Sequence, residues 1–319
     1  MIEGDQLSRP AEVPDGTAIE VHDVRKWYGD VHAVDGISFD VAGGEIFGLL
    51  GPNGAGKTTT MEMLEGLHAP DAGTLRVLGH DVAHEALAIK ERIGVQLQTA
   101  ALFPQLTVEE LLALFGSFFR RRLTVAELLK ALDLEEKRGA QSKNLSGGQR
   151  QRLSVALALV NDPEVVFLDE PTTGLDPAAR RGLWDLILSL KAQGRTVLMT
   201  THYLEEAEAI CDRVAIMDHG RILDIGTSDE LIGRRFHERA IQFDRIDGLG
   251  DDALGRLPAV VRVSHEDDVT LLYTTDVPET IGALLAACQA MGREPDNLLV
   301  RRATLEDVFL ALTGRALRD

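Results

Sequence analysis

The stretch "GLLGPNGAGKTTTMEMLEGL", residues 48–67, sets a glycine-rich loop between an apolar run and a helix-like one. A plain turn needs one glycine or two. Here Gly51, Gly54, Gly56, Lys57 and Thr58 match G-x-x-x-x-G-K-[ST], the phosphate-binding loop. Glycines let backbone N–H groups converge on phosphate oxygens with no Cβ in the way. The helix opening near Lys57 turns its free N–H groups and positive dipole end to the same anion. Lys57 adds a full charge for the β- and γ-phosphates, and the Thr58 hydroxyl can ligate Mg²⁺. A flexible strand-to-helix turn is the competing reading, and the complete pattern weighs against it.

The 319 residues with 45% hydrophobic content allow a sizeable core and, by length, about two domains. A net charge of −18 argues against nucleic acid as a partner, which calls for a basic stripe. The one basic run, "RRR" at 120–122, reads as a solvated helix face. Cys211 and Cys288 show no metal or CxxC spacing and read as buried thiols of a cytosolic protein. Residues 1–18 are acidic and lack an apolar core, so a disordered lead-in is expected and not a signal or anchor. The longest apolar run, "LLALFGSFF" at 111–119, is far too short for a membrane span. A cytoplasmic protein follows, held at any membrane by another chain.

Outward from the loop, "EVVFLDEP" and "RTVLMTTH" read as buried strands, each followed by a helical stretch. The run from Thr107 to about Leu134 reads as helical, and another helix opens at Ser146. The expected architecture is an α/β nucleotide-binding core over 19–239 with a helical subdomain inserted at about 99–160. Residues 240–319 read βαββαβ plus a helix, a ferredoxin-like plan without a phosphate loop. That small α+β domain is a regulatory or assembly module, or a structural cap.

"EVVFLDEP" places Asp169 and Glu170 at the end of an apolar strand, where unpaired carboxylates are costly. One can hold Mg²⁺ while the other orients and deprotonates the attacking water. A helix cap before Pro171 is the alternative. In "NLSGGQRQRLSVALALV", Ser146, Gly147 and Gly148 open a helix with a hydroxyl and bare N–H groups aimed at an anion. Alone, that too could be an ordinary cap.

With the two preceding motifs, L-S-G-G-Q at 145–149 resembles the signature of ATP-binding-cassette (ABC) ATPases, over roughly residues 19–235. The resemblance implies ATP and Mg²⁺ as cofactors and a phosphate loop completed by Pro52, Asn53, Ala55 and Thr59. Tyr28 in "KWYGD" matches the aromatic that stacks on adenine, a contact of about 1–3 kcal/mol by analogy with base stacking. Strand alternation should bury one of Trp27 and Tyr28 and present the other. Gln98 matches the glutamine touching Mg²⁺ and the attacking water, although Leu97 stands where proline is usual and Gln96 lies close. Asp176 in "TGLDP" matches the aspartate loop that communicates across a dimer, and His202 matches the γ-phosphate-sensing histidine. Ser146, Gly147, Gly148 and Gln149 would face the partner subunit's ATP, so a homodimer would supply two complete sites.

The ending "ATLEDVFLALTGRALRD" looks like the tail of drug-resistance exporter ATPases of the daunorubicin type. The function implied is ATP hydrolysis powering efflux of a drug, antibiotic or other hydrophobic compound through a separate transmembrane permease, at the cytoplasmic face of the membrane. The family receives a helix of that permease between Gln98 and Ser146. Leu102, Phe103, Phe115, Phe118 and Phe119 are candidates for the groove, with the core of the helical segment as the plainer reading for most of them. The rival function is a soluble mechanical ATPase in DNA repair or on the ribosome. The acidic balance and the single cassette without a long coiled coil disfavour it.

Overall fold

The computed structural model describes residues 16–96, 103–236, 238–246, 248–266 and 268–315. Within them the chain divides into two compact units that meet in sequence at Thr227 and Ser228.

The first unit opens with β1 (Thr17–Tyr28) and β2 (Val31–Ala42), a long antiparallel hairpin turned at Gly29–Asp30. β1 thus starts inside the segment read as a lead-in, most of which lies outside the described residues. Then come β3 (Ile46–Leu50), α1 (Lys57–Leu64), β4 (Ala72–Val77), β5 (His80–Asp81), α2 (Ala86–Lys90) and β6 (Ile93–Gln96). The helical segment holds α3 (Val108–Gly116), α4 (Val125–Ala131) and α5 (Gly147–Ala158). After it run β7 (Val165–Asp169), α6 (Pro177–Ala192), β8 (Thr196–Thr201), α7 (Leu204–Ile210), β9 (Arg213–Asp218) and β10 (Arg221–Gly226).

Two sheets result. One is antiparallel with order β2-β1-β4-β5; the other runs β10-β9-β3-β8-β7-β6, parallel except for β10 at its edge. Every residue of β3, β7 and β8 is buried, as continuous apolar runs in a parallel sheet should be. Their carboxyl ends carry the loop after Leu50, the Asp169–Glu170 pair and His202.

The run read as helical from Thr107 to about Leu134 holds two helices, α3 and α4. A second S/T-x-x-E box, Thr124 with Glu127, repeats the one at Thr107 with Glu110 and starts a new helix. The arginine run therefore lies between helices and not on a helix face. Arg121 pairs with Asp162, whose other oxygen takes a 2.7 Å bond from fully buried Arg195.

The second unit contains α8 (Ser228–Gly233), β11 (Arg239–Asp244), α9 (Asp251–Leu254), β12 (Val260–Glu266) and β13 (Val269–Thr274). It ends with α10 (Val277–Ala290), β14 (Leu299–Arg301) and α11 (Leu305–Thr313). The sheet order is β12-β13-β11-β14 with every pair antiparallel, the arrangement a βαββαβ chain reaches when both crossovers cover one face. Ile241, Phe243 and Leu272 turn to that face and meet Leu254, Leu284 and Cys288. On α11, Leu305, Val308 and Phe309 are buried and the helix lies against α8.

Candidate nucleotide site

The loop after β3 is shaped by glycines that nothing else can replace. A Cβ on Gly51 would stand 2.2 Å from the Met217 carbonyl oxygen, and one on Gly56 2.3 Å from that of Ala33. Gly56 also has φ 98° and serves as the N-cap of α1 without any side chain capping the first turn. The N–H groups of that turn are left for a ligand, and the residues 53–59 line a cavity of about 590 Å³. Tyr28 and Glu170 line the same cavity.

Lys57 is buried, and its ammonium donates to the carbonyl oxygens of Gly51 at 2.7 Å and Pro52 at 3.1 Å. It also stands 3.5 Å from Glu170 Oε1. Burial lowers its pKa, against the opposing pull of Glu170 and Asp169.

Asp169 ends β7. It accepts hydrogen bonds from the Thr58 hydroxyl at 3.2 Å and from the Thr200 hydroxyl on β8. Burial raises its pKa, and those two bonds offset only part of the rise. Glu170 follows with φ 45°, a left-handed backbone unusual outside glycine, fixed by its N–H donating to Thr200 Oγ1 at 2.9 Å. Its Oε1 lies 3.3 Å from His202 Nδ1, and its Oε2 accepts from the Thr173 hydroxyl at 3.2 Å. Burial pushes Glu170 upward, but Lys57, His202 and Thr173 together hold it below the ordinary carboxylate value.

The structure therefore brings Tyr28, the loop through Thr59, Asp169, Glu170 and His202 together. The expected choice between Trp27 and Tyr28 is not made by burial: both rings are exposed, at 39% and 47%. A register shift between Lys26 and Trp27 breaks the alternation that would have buried one. Only Tyr28 of the two lines the cavity. Gln98 lies outside the described residues; Gln96, its neighbour, is buried at the end of β6.

Ser146, Gly147, Gly148, Gln149 and Asp176 do not line this cavity. Ser146 caps α5 in a reciprocal box: its hydroxyl accepts from Gln149 N–H at 3.2 Å while its own N–H donates to Gln149 Oε1 at 3.0 Å. Asp176 caps α6, accepting from the N–H groups of Ala178 and Ala179 at 3.0 and 2.9 Å. Both sets are exposed or half-buried.

Sequence reasoning missed Val31, His32, Ala33 and His219 in the cavity wall and Thr200 behind the acid pair. A hydroxyl one residue before the end of an apolar strand is a signal for Thr200; turn residues such as His219 gave none.

A second cavity of about 390 Å³ in the first unit is lined by Phe115 and Phe119 with Leu67, Val95, Leu157 and Glu65. Phe103 and Phe118 are exposed, at 53% and 69%, so neither belongs to the core of the helical segment. Leu102 lies outside the described residues. Glu65 is buried, its Oε2 has no hydrogen-bond partner among the described residues, and burial first, then Asp169 and Glu62, pushes its pKa up to about 8.

A phosphate loop between a buried strand and a helix, facing an acidic pair and a histidine on neighbouring strand ends, defines a P-loop nucleoside triphosphatase. The family model for ABC transporters matches residues 34–173. The Nod factor export ATP-binding protein I of Ralstonia nicotianae is 44% identical over 312 residues, covering 94% of this chain and 95% of that protein. The daunorubicin resistance ATP-binding protein DrrA3 of Streptomyces coeruleorubidus is 44% identical over 305 residues, covering 93% and 96%. A solved ATP-binding subunit of an ABC transporter superposes with TM-score 0.62 at 31% identity, over 68% of this chain and 93% of that one. A dimeric ATP-binding cassette bound to ADP and Pi gives TM-score 0.59 at 25% identity, over 66% and 98%. The chain belongs to the ABC transporter family as an ATP-binding, ATP-hydrolysing subunit homologous to exporter ATPases. Among the described residues no helix is long and apolar enough to cross a membrane.

Proposed function

We propose that two copies of this chain hydrolyse ATP to drive efflux of a drug, antibiotic or other hydrophobic compound through a separate membrane subunit. The observation that carries the hydrolytic part is Glu170, set between Lys57 at 3.5 Å and His202 at 3.3 Å in the cavity wall. In this reading Lys57 binds the β- and γ-phosphates, and the first turn of α1 surrounds them with N–H groups. Glu170 orients the attacking water and takes its proton, while His202 holds Glu170 in place and reads the γ-phosphate. Tyr28 stacks on the adenine.

Thr58 and Asp169 fit Mg²⁺, since a hydroxyl and a carboxylate 3.2 Å apart offer hard oxygen donors at the phosphate end. A cation there would also reverse the rise that burial imposes on Asp169. Gln98 would complete the set. When bound, the ion neutralises charge on the phosphates.

Ser146–Gln149 and Asp176 lie off the cavity, and the chain carries each motif once. A second copy bringing its signature helix to this cavity would use them, and a neighbouring solved cassette is described as dimeric. The relatives' names, Nod factor export and daunorubicin resistance, support export and a membrane partner. The groove of Phe115 and Phe119 is the proposed seat for that partner's helix.

The experiment is Mg²⁺-dependent ATPase and substrate efflux in vesicles carrying the co-expressed membrane subunit. Efflux that needs ATP and fails with Glu170→Gln supports the reading; efflux unaffected by that variant overturns it.

A further inference from the structure

In the second unit, cross-strand register sets four side chains in one row on the sheet face opposite α9 and α10. Arg262 pairs with Tyr273, Tyr273 with Ala240, and Ala240 with Arg301. At about 4.8 Å per strand, the two arginines anchor the row ~14 Å apart. Ala240 makes a dip in the middle, and the dip is the floor of a cavity of about 390 Å³. Leu271 and Leu310 give it apolar walls, and Arg302 joins the other two arginines at its lining.

Arg262 carries the argument. Its guanidinium carbon stands 3.7 Å from the centroid of the Tyr273 ring, a stacked cation–π contact. Stacking uses the flat face of the group and leaves its N–H edges for an acceptor. Among the described residues no carboxylate pairs with those edges. Of the two acids at the lining, Asp307 is engaged at the start of α11, accepting from the N–H and hydroxyl of Thr304 at 2.8 and 3.0 Å. Glu238 is the other. Three arginines at one cavity stand out in a chain of net charge −18. Charged residues on edge strands also guard against sheet-to-sheet pairing, but a guard needs neither a stacked ring nor a dip.

We propose that this cavity binds a small organic anion, an apolar or aromatic body bearing a carboxylate or phosphate, with Arg262 holding the anionic group and Ala240 and Leu271 under the body. Such a volume suits a ligand of that kind. The site lies wholly in the second unit and is independent of the nucleotide site.

The test uses the full chain with saturating Mg·ADP, so that the phosphate loop takes no added anion. Calorimetry with 2-naphthoate as probe should show one saturable site per chain. Inorganic phosphate, the head alone, and uncharged 2-naphthol, the body alone, should each bind at least about tenfold more weakly. Arg262→Gln should cost about tenfold in affinity, the order expected for one charge-assisted bond. Ala240→Leu should fill the dip and abolish binding, while Arg256→Gln, away from the cavity, should leave it unchanged. No saturable naphthoate binding to the unaltered chain overturns the proposal. So does equal affinity in Arg262→Gln, or phosphate binding as tight as naphthoate.

Discussion

The Lys57 ammonium and Glu170 Oε1 face each other at 3.5 Å, both side chains almost wholly buried. Each stabilises the charge of the other, which keeps Glu170 ionised and a weak base. In the proposed reading, a γ-phosphate engaging Lys57 would draw the cation from Glu170 and make it a stronger base toward the attacking water, coupling binding to base strength through one pair.

The pair gives the first prediction. Lys57→Ala should weaken ATP binding, because it removes a full charge beside the phosphates. Glu170→Gln should spare binding and lower kcat by about 10²–10⁴, the usual cost of a lost general base. It should also accumulate as an ATP-held dimer in size-exclusion chromatography. Near-normal steady-state hydrolysis in Glu170→Gln would remove Glu170 from its role.

The second prediction concerns the shared site. Ser146→Arg puts a bulky cation at the exposed N-terminus of α5 and destroys the box with Gln149. Mixed with Lys57→Ala protein, it forms heterodimers with one doubly damaged site and one intact site. Some ATPase should return if one site can fire alone. An engineered cysteine pair at Ser146 and the Lys57 loop should crosslink between copies in the presence of ATP. Its failure to do so counts against the two-copy arrangement.

The third concerns pH and Glu65. Its carboxyl, ordinarily at 4.5 and here at about 8, is protonated in the folded chain across a window where the unfolded chain is ionised. The folded state then binds the extra proton, so stability falls as pH rises from about 4.5 to about 8. The slope is about 1.4 kcal/mol per pH unit at most. Glu65→Gln keeps the shape and removes the titration. Its melting temperature relative to the unaltered chain should climb from pH 5 to pH 9, with no further gain above. A constant difference would show that Glu65 does not titrate in this window.

Much of this site is legible in the sequence because its parts are local. The phosphate loop and the acid pair are each contiguous, and buried parallel strands are plain as apolar runs. The ferredoxin-like order is legible for the same reason, each element being short and bounded. Tyr28 and Trp27 were harder, since a register shift is set by the partner strand and has no mark in β1 itself. The break before Thr124 carries a second capping box, but the apolar run "LLALFGSFF" at 111–119 continues past the end of α3 at Gly116 and hides it. His219 and Ala33 reach the cavity only through the tertiary fold.

The fourth prediction assigns the second unit to assembly and not to chemistry. Every residue lining the nucleotide cavity lies before Thr227, and the second unit has a core of its own around Ile241, Phe243 and Leu272. The cut belongs after Thr227 and not at 239, because α8 is part of the second unit and packs with α11. Leaving α8 behind would strip Leu231, which is fully buried, of its cover. A chain ending at Thr227 should bind ATP with an affinity within about threefold of the full chain, a difference of roughly 0.7 kcal/mol or less. Dimerisation, or co-sedimentation with vesicles carrying the membrane subunit, should weaken. Nucleotide affinity by calorimetry, beside that sedimentation assay, separates the two effects. A folded truncation that loses ATP and keeps its place at the membrane would reverse the assignment.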